Sequence, residues 1–324
     1  MLSLELYQSE FESYITQKSI IKEPKSLYEP IEYILNIGGK RLRPIFTLMV
    51  CAIFGKPHKN ALDAALAVEL FHNFSLMHDD IMDNAPLRRG WQTVHEKWDI
   101  NTGILSGDAL LILAYQLFEN YPPEIFYQLA KLFSTTAIEV CEGQQLDIDF
   151  QQKDEVSLDE YLLMITNKTA VLIGAAMAMG AIVAEASEDE KNHIYLFGKN
   201  LGIAFQLQDD YLDAFGNSQK FGKQPGGDII ENKKTFLCLN SLENATPEDA
   251  TILRHLFSIQ PQNPADKIET VKKIYESSHS VIKIKEEIKR YTSTAIACLD
   301  SLNLNTENKK QLTDFANYLI DRNI

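Results

Sequence analysis

Two short segments repeat one arrangement of carboxylates: His78-Asp79-Asp80-Ile81-Met82-Asp83 and Gln208-Asp209-Asp210-Tyr211-Leu212-Asp213. Each is an Asp-Asp-x-x-Asp pattern within a helical apolar periodicity. At 3.6 residues per turn, the first and fifth positions share a face and the second lies about 100° away. Three carboxylates within little more than one turn repel one another, so a cation is expected among them. Magnesium suits the arrangement, because it takes one or two carboxylates, keeps waters and completes its octahedron with phosphate oxygens. A solvated acidic face is the plain alternative. The apolar neighbours Leu70, Phe74, Leu76 and Met77, and Leu201, Ile203, Phe205 and Leu207, argue against it.

Basic residues supply the complement. Gly38-Gly39-Lys40-Arg41-Leu42-Arg43-Pro44 places three cations at a glycine turn leading into a helix start. There, forked guanidiniums, a mobile ammonium and helix N–H donors suit phosphate oxygens. An ordinary basic surface cluster is the competing reading. Arg88-Arg89-Gly90 follows the first acidic cluster across a loop containing Pro86, which suggests one diphosphate bridged to metal and a second held by arginine. Gly143-Gln144-Gln145-Leu146-Asp147 sets an amide and an acid three apart on a helix. Lys168-Thr169 interrupts an apolar helix, where an unpaired lysine is costly unless it meets an anion. Lys223, Lys233 and Lys234 sit where a loop could close over a phosphate. Taken singly, each of these smaller features is more readily structural than catalytic.

The elements that must position these groups are helical, with no strict period-2 alternation. Leu27, Ile31, Ile34 and Leu35 form a stripe ending at Gly38-Gly39. Pro44 suits the first turn of a helix striped by Ile45, Leu48, Met49, Ala52 and Ile53 and ended by Gly55 and Pro57. Asn60 is placed to cap a long helix running to about Asp83. Ser157 with Glu160, and Ser187 with Glu190, form capping boxes, the second opening a helix from about Glu188 to Phe215. Gly216 to Asn232 reads as a long polar loop, a length usually reserved for function. Amphipathic helices separated by Pro261 and Pro264 follow from Thr246. The expected fold class is all-α, a large bundle of ten or more helices with the active site in its central cavity.

Bulk properties set the frame. The 324 residues suggest about two domains by length alone, but no linker or compositional break appears, so residues 1–324 are expected to form one domain. A net charge of −14 with no basic stripe argues against nucleic acid. The four cysteines, Cys51, Cys141, Cys238 and Cys298, are dispersed and imply a reducing compartment. The segment from Met1 to Glu10 lacks the basic flank and apolar run of a targeting signal. Val171 to Ala184, the most apolar stretch, reads as a buried helix too short for a membrane span. The expectation is a cytoplasmic protein without a membrane span.

From about Tyr33 to Phe236 these motifs, in order and spacing, resemble the trans-isoprenyl diphosphate synthases, including Phe205-Gln206-x-x-Asp209-Asp210-x-x-Asp213 and Gly222-Lys223 through Asp228 and Lys233. The resemblance implies a prenyltransferase joining isopentenyl diphosphate to an allylic diphosphate (dimethylallyl, geranyl or farnesyl), acting as a homodimer. It implies that Lys40, Arg43, His72 and Arg89 hold isopentenyl diphosphate. Asp79, Asp83 and Asp209 would ligate a cluster of about three Mg²⁺ ions on the allylic diphosphate. Asp80, Gln144, Asp147, Asp210 and Asp213 would position ligands or waters around that cluster. Arg88, Lys168, Lys223 and Lys233 would contact the allylic diphosphate, and Thr169 and Gln206 would face the reacting carbons. His72, seven residues before Asp79, lies on nearly the same helical face; a lone core histidine that is merely hydrogen-bonded is the alternative.

In enzymes similar to this chain, bulk four and five residues before the first aspartate sets the product length. Here those residues are Ser75 and Phe74. The first cluster lacks the two-residue insertion common in bacterial farnesyl synthases, which favours geranylgeranyl diphosphate over farnesyl diphosphate. On an ideal helix Phe74 points away from the Asp79 face, so either the helix is distorted or Phe74 acts through its neighbours. The rivals are a terpene cyclase of the same fold, a non-catalytic partner subunit and a metal-dependent diphosphate hydrolase. A cyclase needs no second diphosphate site, a silent subunit should have lost carboxylates, and a hydrolase does not call for such apolar surroundings.

Overall fold

The structure is a computed structural model and describes residues 4–18, 20, 22–216 and 226–320. It is all-α apart from a two-residue antiparallel pair, β1 (Leu87–Arg88) with β2 (Trp91–Gln92). The Cα packing divides the chain into two units, residues 1–134 with 175–192, and residues 135–174 with 193–324.

In the first unit, α1 (Leu4–Gln17) and α2 (Lys25–Asn36) precede α3 (Leu42–Ile53) and α4 (Leu62–Met82). Helix α2 ends as its sequence implies, with Gly38 at φ 81° just past the cap. Helix α3 is buried on nearly every side, from Pro44 to Cys51. Gly180 lets another backbone reach it, because a Cβ there would overlap the Thr47 carbonyl oxygen. The expected Asn60 cap is not formed. A 3₁₀ turn over His58–Ala61 leads into α4, no side chain caps that helix, and the Asn60 carbonyl instead accepts the Tyr121 hydroxyl at 2.9 Å. After α5 (Val94–Lys97), α6 (Ile100–Phe118) packs closely on α4, with Gly103 against Ile81 and Gly107 leaving room for the His78 ring.

In the second unit, α7 (Pro123–Gln152) contributes its later turns, followed by α8 (Leu158–Ile165), a π-helical turn over Thr166–Ala170 and the start of α9 (Val171–Val183). The Ser157–Glu160 box opens α8, and the Ser187–Glu190 box opens α10 (Glu188–Phe215), whose bounds match the sequence reading. Residues 217–225 of the anticipated loop lie outside the described residues. Part of the remainder forms the short helix α11 (Gly227–Ile230). Then come α12 (Phe236–Asn244), α13 (Pro247–Leu256), α14 (Ala265–Ser277), α15 (Ser280–Cys298) and α16 (Thr306–Ile320). Their core includes Tyr161, Leu207, Phe236, Leu253, Val271 and Ile284, all nearly inaccessible. Each such side chain contributes on the order of 1.5–3 kcal/mol of burial free energy.

Every residue from Ala170 to Ala184 is buried, as its composition implies. The stretch read from the sequence, Val171 to Ala184, matches α9, but it is not a separate short helix. The π turn joins α9 to α8, giving a helical run over Leu158–Val183 that is long and apolar enough to cross a membrane by length and composition. Two-thirds of its most apolar window is buried inside the protein, whereas one-third is buried for α6, which passes the same test.

Candidate active site

In the first unit, α4 carries His72, Asp79 and Asp80, with Asp83 capping its end, and the β1–β2 hairpin brings Arg88 and Arg89 back toward it. Asp80 is 3% exposed and committed. The Arg88 Nε–H donates to both of its oxygens, at 2.9 and 2.8 Å, and Nη2 lies 2.7 Å from Oδ1. Burial raises the Asp80 carboxyl above its ordinary range even though Arg88 pulls it down. Asp80 therefore serves to hold Arg88, whose Nη2 also comes within 3.9 Å of Asp79. Asp79 is partly exposed and Asp83 exposed, one turn apart on the same helix end.

Beside this lies a patch of cations. Arg89 adopts a left-handed conformation (φ 54°), and its guanidinium lies over Gly39, where a Cβ would come within 2.5 Å of Nη1. Arg43 Nη1–H faces His72 Nε2 at 3.3 Å. Burial, then Arg43, Arg89, Arg88 and Arg41, hold His72 well below the usual imidazole range, so it is neutral and accepts from Arg43. Burial likewise lowers Arg43 to about 10, with Glu69 opposing and Arg89 adding to the effect. Crowded guanidiniums around a neutral imidazole favour an anion. Lys40 is exposed on the adjoining turn.

The sequence reading grouped Arg41 with Lys40 and Arg43 as a phosphate-facing cation. The structure turns it inward. Its side chain is buried and ion-paired with Glu69, and it also donates to the Leu35 carbonyl. Glu69 and Asn73, which donates to Glu69 Oε1 at 3.3 Å, went unnoticed. An acid inside the apolar run Ala64-Ala65-Leu66-Ala67-Val68-Glu69-Leu70-Phe71 was the available signal, since a buried carboxylate demands a partner.

In the second unit, a hydrogen-bonded chain organises the other cluster. Thr169 Oγ1–H donates to Gln206 Oε1 at 3.3 Å, and Gln206 Nε2–H donates to Asp210 Oδ1 at 3.2 Å. The Tyr161 hydroxyl donates to Asp210 Oδ2. Burial first, then the Asp228 charge, pushes the Asp210 carboxyl well above its ordinary range. Asp209 and Asp213 remain partly exposed. Asp213 also accepts the Asp228 N–H at 2.9 Å, fixing the start of α11.

Lys168 sits in the π turn and meets Asp147 at 2.6 Å, which supplies the anion that its apolar surroundings require. Gly143 makes this possible, because a Cβ there would overlap the Lys168 backbone nitrogen. Gln144 lies on α7, three residues before Asp147. Lys233 pairs with Glu231 at 2.8 Å and approaches Asp228 at 3.9 Å. Burial lowers its affinity for protons, but these acids more than offset that and raise it above the ordinary lysine range. Lys234, read as a phosphate contact, instead donates to the Phe150 and Lys153 carbonyls at the end of α7. Lys223 lies outside the described residues.

Phe74 does point off the Asp79 face. Its ring packs edge-on against His78 at 4.8 Å and against Phe71 at 5.5 Å, within a continuous helix. Distortion of α4 therefore does not bring Phe74 onto the Asp79 face. Ser75 is partly exposed, and its hydroxyl donates to the His72 carbonyl at 2.9 Å.

Among the described residues, no group of three or more His, Cys, Asp or Glu side chains closes around one point. Each cluster instead presents hard oxygen donors one turn apart, Asp79 with Asp83 and Asp209 with Asp213, while the middle carboxylate is bonded within the protein. Such a donor set fits Mg²⁺, which relies on water and substrate oxygens for the rest of its shell.

Residues 24–277 match the polyprenyl synthetase family, and the chain belongs to that family. It is 34% identical over 303 residues to a geranylgeranyl pyrophosphate synthase of Geoglobus acetivorans, covering 93% of this chain and 92% of that one. It is 39% identical over 232 residues to a geranylgeranyl diphosphate synthase of Methanosarcina mazei, covering 71% of each. A crystal structure of a geranylgeranyl pyrophosphate synthase superposes with a TM-score of 0.96 at 51% identity over the whole of both chains. The corresponding Pyrococcus horikoshii enzyme gives 0.91 at 31% identity, covering 99% of this chain and 97% of its own.

Proposed function

We propose that this chain is a Mg²⁺-dependent prenyltransferase that condenses isopentenyl diphosphate with an allylic diphosphate, releasing diphosphate and yielding mainly geranylgeranyl diphosphate. The observation that carries this reading is the cation patch in which Arg43 and Arg89 crowd neutral His72, with Lys40 exposed on the adjoining turn. His72 lies two turns, about 10 Å, along α4 from Asp79. An enzyme handling one diphosphate has no use for such a patch. A synthase must hold two, one at metal-binding carboxylates and one without metal.

In this reading Lys40, Arg43 and Arg89 bind isopentenyl diphosphate, and His72 orients Arg43 as a neutral acceptor. Asp79, Asp83 and Asp209 would hold Mg²⁺ on the allylic diphosphate, with Asp80, Gln144, Asp147, Asp210 and Asp213 behind them. Bound there, Mg²⁺ would supply Lewis-acid stabilisation of the departing diphosphate. Arg88, Lys168, Lys223 and Lys233 neutralise the same charge as it develops. The allylic C–O bond breaks with its electron pair leaving on the diphosphate. The isopentenyl double bond supplies the pair for the new C–C bond, and one proton is lost to the departing diphosphate. Thr169 and Gln206, fixed to each other and to Asp210, face the reacting carbons and help exclude water, which would capture the cation.

Two further expectations accompany this reading. Helix α6 leaves Ile100, Ile104, Leu105 and Ile112 exposed, an apolar face that supports a homodimer. The four cysteines are free, which supports a cytoplasmic location.

Incubation with Mg²⁺, labelled isopentenyl diphosphate and each allylic primer, followed by sizing of the products, tests the assignment. Linear twenty-carbon product is expected. Cyclic hydrocarbon, or inorganic diphosphate without elongation, would remove it. Arg43→Ala separates the two substrate sites. It should raise the apparent KM for isopentenyl diphosphate by about ten-fold or more, as loss of a charged hydrogen-bond donor implies, with little change for the primer. A rise confined to the primer would reverse the assignment.

A further inference from the structure

The turn carrying Lys40 and Arg43 has an anchor that is not itself part of the cation patch. Arg41 caps α3 in the left-handed region, at φ 49°, a conformation that residues with a Cβ seldom adopt. Its guanidinium forks in two directions, toward Glu69 on α4 and toward the Leu35 carbonyl in the last turn of α2. Arg41, Glu69 and Asn73 are 8%, 4% and 2% exposed. Asn73 fixes the acid in turn, donating to the Glu69 carbonyl at 2.8 Å and to its carboxylate at 3.3 Å. The network therefore joins three helices at the point where the chain passes from Lys40 to Arg43. It also shares α4 with His72, the acceptor facing Arg43.

We propose that Arg41 and Glu69 are a positioning pair for the isopentenyl diphosphate site, holding the turn left-handed so that Lys40 and Arg43 keep their places. This rests on the assignment of Arg43, His72 and Arg89 to that substrate. A lysine at 41 keeps the charge but not the fork, and so cannot reach the acid and the helix-end carbonyl together. Removing one member leaves a buried charge unpaired, whereas replacing both with apolar residues of similar volume tends to preserve stability. The double variant R41M/E69L thus separates positioning from core stability.

The measurements are the melting temperature, kcat, the KM for each substrate, and calorimetric titration with isopentenyl diphosphate alone. The double variant is expected to melt near the parent and to show a KM for isopentenyl diphosphate raised about ten-fold, with kcat and the primer KM within about two-fold. Its calorimetric affinity should weaken in parallel. A double variant as stable as the parent, with unchanged affinity for isopentenyl diphosphate, would overturn the proposal. If it melts far below the parent, R41K is read instead: a rise confined to the isopentenyl diphosphate KM supports positioning, and a parental value overturns it. A parent that neither elongates primers nor binds isopentenyl diphosphate sinks the functional assignment itself, before any variant is compared.

Discussion

Asp79→Ala and Asp209→Ala are each expected to lower turnover on the order of a thousand-fold, the scale of losing one preorganised stabiliser of transition-state charge. Both side chains are partly exposed and near the ends of long helices, so their removal leaves no cavity in either core. Circular dichroism and melting temperature should stay close to the parent. The neighbouring carboxylates predict a different outcome. Asp80 and Asp210 are buried and bonded to Arg88 and to Tyr161 with Gln206, so replacing them breaks contacts inside the fold and leaves the buried Tyr161 hydroxyl without its acceptor. Rigorous chelation of divalent metal should abolish the parent's activity, and Mg²⁺ should restore it. Near-normal turnover in either alanine variant, or in the chelated parent, is the result that removes the metal-bound diphosphate from the mechanism.

Ser75→Phe is expected to shorten the main product from twenty carbons toward fifteen or ten. Ser75 lies one turn, about 5.4 Å, behind Asp79 on the same face. A tail growing away from the metal-bound diphosphate along α4 meets this position early. Today it presents a small hydroxyl bonded to the His72 carbonyl, and the site is partly exposed, so a phenyl ring has room to project without forcing the core apart. Phe74 does not compete for that space, because its ring is held against His78 and Phe71. Chromatography of the dephosphorylated alcohols from parent and variant makes the comparison. An active Ser75→Phe enzyme with unchanged or longer product would show that the tail takes another course.

The features legible in the sequence were those decided by short-range bonding. The Ser187–Glu190 box and the apolar period after it placed α10 within its observed bounds, because the hydrogen bonds that start the helix lie within four residues. Lys168 in an apolar run announced an unnamed anion, but its partner Asp147 lies on another helix and only the fold could identify it. Arg41 shows the opposite failure. Its type and its neighbours made it look like a phosphate ligand, and its left-handed backbone and distant Glu69 turned it inward. Asn60 had the right side chain for a cap, yet a 3₁₀ turn intervened and the Tyr121 hydroxyl took its carbonyl. Gly143 carried no recognisable signal beyond its motif. Its purpose, close approach to the Lys168 backbone, appears only when two helices are placed side by side.

The π turn over Thr166–Ala170 has a consequence for how this region can vary. One extra residue wound into a helix advances the phase of everything after it by about 100°. On one side, Tyr161, Met164 and Ile165 keep a core-facing seam, and on the other the buried run begins at Ala170. Lys168 and Thr169 occupy the offset between the two seams, neither aligned with the first nor committed to the second. Substitutions that repack either seam leave the offset in place, and with it the direction in which the ammonium and the hydroxyl are aimed. Removing a single residue from the turn would do the reverse, keeping both seams apolar while swinging Lys168 away from Asp147. Insertions and deletions here, rather than substitutions, are therefore the changes that would redirect the polar pair.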